Sequence, residues 1–69
     1  MIKHDVDPEP VAVHVELTDV QALALAQFVK RLTFAEARAC AVDEAEAYRI
    51  IDAVGRLQDA LGVAGYRPR

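Results

Sequence analysis

The sequence predicts an α-rich α+β domain in the order β-α-α-α, with its lone strand paired across a homodimer. Three observations predict it. One apolar/polar alternation of period 2 runs from Val11 to Leu17; apolar positions recur at helical spacing from residue 20 to 61; and three Thr/Asp residues are each followed three positions later by Gln or Glu. The chain has 69 residues, enough for one domain with a thin core, since a chain of this size buries only about 60% of the surface its unfolded form exposes.

Residues 1–10 carry three acids, two prolines and one Lys, with Ile2 and Val6 isolated, and are expected to form a flexible leader. In the next segment Val11, Val13, Val15 and Leu17 alternate with Ala12, His14 and Glu16, as in a strand with one face on a core. No second strand is legible. The strand's backbone groups are therefore expected to pair with the same strand of another copy, making Val11, Val13, Val15 and Leu17 the dimer strand.

Thr18 or Asp19 opens helix one, which runs to about Leu32 with Thr18 and Gln21 as a capping box. Leu25, Phe28, Val29 and Leu32 share one face, while Val20 and Leu23 fall on the polar side and are expected to touch the strand layer or a partner subunit. Thr33 and Glu36 form a second box, opening a short Ala-rich helix. Asp43 and Glu46 open the longest helix, from Glu44 to about Leu61, stopped by Gly62 and Gly65. Its stripe is Ala47, Ile50, Ile51, Val54, Leu57 and Leu61; its other side alternates Arg49, Asp52, Arg56 and Asp59 at ion-pair spacing. Gly55 interrupts this helix, which predicts a close backbone contact there. The single domain spans 11–65, and 66–69 is a basic tail in which Tyr66, Arg67 and Arg69 are expected to contact a partner.

The net charge of −3 argues against a general nucleic-acid binder, because such affinity rests on phosphate neutralisation by Lys and Arg. No apolar run approaches the roughly 20 residues of a membrane span. The predicted localisation is cytoplasmic. Cys40 is the only cysteine, which excludes an internal disulfide, and it is expected to be a buried small hydrophobe. The chain contains no Ser and no Asn, and no Gly-rich phosphate loop, HExxH or CxxC. No catalytic, metal or cofactor residue is predicted, and the chain is expected not to be an enzyme. The acids Asp43, Glu44 and Glu46 suit a helix N-terminus.

The strand-helix-helix order is similar in outline to ribbon-helix-helix DNA regulators, whose paired strands enter the major groove. Here the reading positions would be Ala12, His14 and Glu16, without a Lys or Arg, so DNA binding is the alternative. The runs Ala22 to Arg31, Asp43 to Ala45 and Ala64 to Arg69 resemble a family of short uncharacterised proteins from proteobacteria and their prophages. That resemblance implies no activity and no residue role. It implies a context in which small proteins occupy a surface on a host or defence complex. The expected function is thus a non-enzymatic protein–protein interaction module, of inhibitor or modulator type, with an unidentified protein partner and a homodimeric state.

Overall fold

A computed structural model describes residues 9–67; the expected leader therefore lies outside the described residues up to position 8, as do Pro68 and Arg69. Among the described residues three helices form: α1 (Asp19–Arg31), α2 (Phe34–Cys40) and α3 (Glu44–Val63). Among the described residues there is no strand, so the β-α-α-α expectation and its paired dimer strand are overturned. Residues 11–17 are an extended arm. No backbone hydrogen bond among the described residues joins this arm to the rest of the chain. Its backbone groups are exposed, and water satisfies them. Alternation at period 2 marks a two-faced extended segment; a strand also requires a neighbouring ladder, which the described residues do not supply.

Each helix begins at its predicted cap. The Thr18 hydroxyl accepts from Gln21 N–H at 3.1 Å, while Thr18 N–H donates to Gln21 Oε1 at 3.0 Å. Thr33 and Glu36 make the same reciprocal pair. At α3 the pattern departs from the capping box. Asp43 Oδ1 accepts from Glu46 N–H at 2.8 Å, but Glu46 Oε1 reaches one residue further back, to Val42 N–H at 2.7 Å. The orphan amides are satisfied either way.

Helix α3 is the spine, about 30 Å long for its 20 residues, and both α1 and α2 lie against it. Its C-terminus comes two residues later than the sequence predicts, and Gly62 lies within it. The stop is Gly65, at φ 104°. Gly65 N–H bonds to Gly62 O at 3.0 Å and Tyr66 N–H to Leu61 O at 2.8 Å, the paired bonds of a Schellman turn.

The core consists of small residues. Ala22, Ala26 and Val29 of α1 are buried with Leu61 of α3, and Leu25, Val54 and Tyr66 pack around them. Ala37 and Ala47 are buried as well. The predicted core face of α1 is therefore rotated: its buried meridian is Ala22, Ala26 and Val29, and Phe28 is 57% exposed. Alanines let two helix backbones approach closely, whereas a Leu/Phe meridian would hold them apart. Ile50, Ile51 and Val54 are half-buried, and Leu57, placed in the core by its spacing, faces the surface. Beside this core, the rings of Phe34 and Tyr48 lie 4.7 Å apart between their centroids.

Three further expectations fail. Cys40 is exposed because it is the last residue of α2, beyond that helix's contact at Ala37. A Cβ on Gly55 would meet nothing within 4 Å, so no backbone approaches it. Among the described residues the only ion pair is His14–Glu16 at 3.6 Å, so the Arg49/Asp52/Arg56/Asp59 pairs do not close. Exposed pairs at these spacings gain only tenths of a kcal/mol, too little to fix long side chains.

Candidate functional site

The arm shapes the site. Thr18 is tied to Gln21 by two hydrogen bonds, and this sets the direction in which the chain leaves α1. From that root, Val11, Val13, Val15 and Leu17 line one wall of a groove, and the opposite side of the arm carries His14 and Glu16. The other wall is the flank of α3 formed by Ala53, Leu57, Ala60 and Ala64. These positions recur at steps of four, three and four, so they share one helical flank beside the core stripe. Ala22, Leu25, Leu61 and Tyr66 form the floor, where groove and core meet.

The groove encloses about 780 Å³ and remains open. The arm borders it without filling it: Val11, Val13, Val15 and Leu17 are 83%, 79%, 63% and 40% exposed. Its one charged lining residue is Arg56, which has no acid within ion-pair distance among the described residues.

Tyr66 fastens one end. Its ring lies against the core and its hydroxyl donates to Asp19 at the start of α1, so the turn after α3 is clasped to the first helix. The hydrogen bond to Asp19 is the main cause that raises the Tyr66 pKa above its usual 10.0, because ionisation would remove the donated proton; desolvation and the Asp19 charge act in the same direction. Arg67 is exposed and lays its guanidinium over Gly62.

The residues singled out in the sequence thus separate into three places. Val11, Val13, Val15 and Leu17 come together as the arm wall, with Tyr66 on the floor. Val20 and Leu23 are exposed on α1 and do not line the groove. Arg67 stands beside the C-terminal turn of α3, and Arg69 lies outside the described residues. Ala53, Arg56, Ala60 and Ala64 escaped sequence reasoning, which placed Arg56 only in the charge row of the longest helix and assigned Ala53, Ala60 and Ala64 no role. The available signal was the Ala53/Leu57/Ala60/Ala64 spacing.

An apolar groove with one cation offers binding area and a single point of charge, and no convergent set of titratable groups lines it. No helix among the described residues is long and apolar enough to cross a membrane. Comparison with curated proteins found no match, and neither did comparison with solved structures. The chain belongs to a family of unknown function, DUF7706, whose model matches residues 1–69.

Proposed function

We propose that this chain is a small non-enzymatic protein–protein interaction module whose binding face is the groove between the arm and α3. One observation carries the reading: apart from Val29 and Leu61 the buried residues are alanines, and large apolar side chains, the four of the arm among them, are exposed. Covering the exposed parts of the four arm side chains is worth about 4–8 kcal/mol at the usual 1.5–3 kcal/mol per fully buried Val or Leu. Association itself costs an estimated 4–15 kcal/mol, so a partner must engage the arm and the α3 wall together. The partner is a protein surface, self-association belongs to the same reading, and inhibition or modulation of a host or defence complex in a prophage setting is the proposed role. Nothing favours the ribbon-helix-helix alternative, whose reading element is a strand.

The test compares the parent chain with Leu57→Asp, which places a carboxylate in the α3 wall at a position exposed enough to leave the core intact. Circular dichroism checks that the variant is folded. The parent is expected to hold a defined protein partner from an extract of its host, or a second copy, and the variant to lose it. Equal retention by both chains, or no association by either, refutes the reading.

A further inference from the structure

We infer that the occupant of the groove is the arm of a second copy of this chain, seated reciprocally so that each protomer's Val11, Val13, Val15 and Leu17 pack on the other's Ala53/Leu57/Ala60/Ala64 flank. This rests on the groove being a recognition face, as proposed above, and names its partner.

Four observations support it. The chain's own arm borders the space without filling it, its root tied to Gln21 by the two Thr18–Gln21 hydrogen bonds; an arm arriving from another molecule has no such tether. The lengths agree. From Val11 to Leu17 an extended chain spans about 20 Å, and from Ala53 to Ala64 a helix spans about 16 Å, with side chains recurring every 6–7 Å on the first and every 5–6 Å on the second. The charges are complementary: residues 9–17 have no Lys or Arg, Glu9 falls in the same alternate register as Val11, Val13, Val15 and Leu17, and the charged residue lining the groove is Arg56.

The area decides between one arm and two. A fully buried Val or Leu side chain removes roughly 60–120 Å² of apolar surface. The exposed fractions of the four arm side chains, with the wall they cover, therefore give about 300–600 Å² for one seat. A stable interface needs to clear about 1,000 Å². A single seat falls short, whereas two related by a two-fold axis give about 600–1,200 Å², a range that spans that size, and a two-fold pair is the commonest closed assembly of identical chains. The resulting dimer is of the weak class and dissociates on dilution through the micromolar range.

The experiment uses three full-length variants, two with one substitution each and one with both, in a Cys40→Ala background, which removes the one native thiol from an exposed position. Of the first two, one carries Val13→Cys and the other Ala60→Cys with a mass tag. The chains are mixed and treated with a short bis-maleimide, and light scattering of the parent is followed from about 1 μM to about 1 mM. The expected results are a mass rising towards twice 7.6 kDa and a cross-linked species containing one chain of each kind. A parent that stays monomeric, or a dimer without the Val13/Ala60 cross-link, overturns the inference. So does cross-linking only within a single chain bearing both substitutions, which would mean that each arm closes on its own groove. A monomeric chain that holds a foreign protein, and loses it on Leu57→Asp, overturns arm exchange but leaves the proposed function standing.

Discussion

Substitution of Gly55 isolates one backbone effect in a molecule with few other sources of stability. Gly55 lies inside the 20-residue helix α3, its φ is not positive, and a methyl group built on it touches nothing within 4 Å. Gly55→Ala therefore introduces neither a clash nor a forbidden conformation, and acts by restricting the unfolded chain. The expected gain is about 0.8–1.0 kcal/mol, the Gly-to-Ala difference in a helix interior. For a domain of this size the midpoint should rise by about 4–8 °C for each kcal/mol. Far-UV circular dichroism melts measure the shift, and urea titrations should show a higher midpoint at an unchanged slope.

The other two glycines bracket that result. At Gly65, with φ 104°, alanine must adopt a conformation that L-residues avoid, so Gly65→Ala should lose about 1–2 kcal/mol. At Gly62 the new methyl would meet only the Arg67 guanidinium, the end of a flexible side chain, so the substitution should be mild once Arg67 swings away. A neutral or destabilising Gly55→Ala, measured on protein kept dilute, would refute the reasoning. It would mean that the α3 surface at Gly55 is covered closely by something that the isolated chain does not show.

Further outcomes test the caps, the core and the clasp. Thr18→Ala removes an N-cap oxygen and should cost about 1 kcal/mol by thermal melts; if the cap also aims the arm, cross-linking through Val13→Cys should become less selective. Ala47→Leu forces three more carbons into a fully buried site and should cost about 1–3 kcal/mol, and a neutral result would mean the α2–α3 contact is loose. Tyr66 has its pKa raised in the folded state, so the stability from its neutral phenol is fully present below the unfolded value near 10.0 and is lost as pH rises through the higher folded value. Melts between pH 9 and pH 11.5 should show this alkaline loss in the parent and less of it in Tyr66→Phe; identical pH profiles would remove the clasp.

Caps and helix periods were legible because they depend on residues within one turn of each other. Thr18, Thr33 and Asp43 each open a helix where their spacing places it, and Gly65 ends α3. What lay beyond reach was the choice between competing faces. Leu25, Phe28, Val29 and Leu32 outscore Ala22, Ala26 and Val29 in hydrophobicity, yet the alanine row is buried because close helix approach requires small side chains. Leu57 was assigned to the core for the same reason and instead faces the groove. The arm failed differently. Its alternation correctly separated Val11, Val13, Val15 and Leu17 from His14 and Glu16, but no local signal specifies whether a ladder partner exists.

The two misreadings have a common physical origin. Helices packed through Ala22 and Ala26 of α1, Ala37 of α2 and Ala47 of α3 lie close together but remove little apolar area per residue, so most of the larger apolar side chains lie on the flanks. There they line a groove with an arm that joins no ladder among the described residues. Enlarging the core and emptying the groove are therefore alternatives within one composition: Leu57 turned inward would need the space that the alanine row closes. A chain in which the Ala22/Ala26 row is replaced by larger residues should thus lose recognition through misplaced groove walls even where it still folds. Measuring association and thermal stability together on Ala26→Val would separate the two effects.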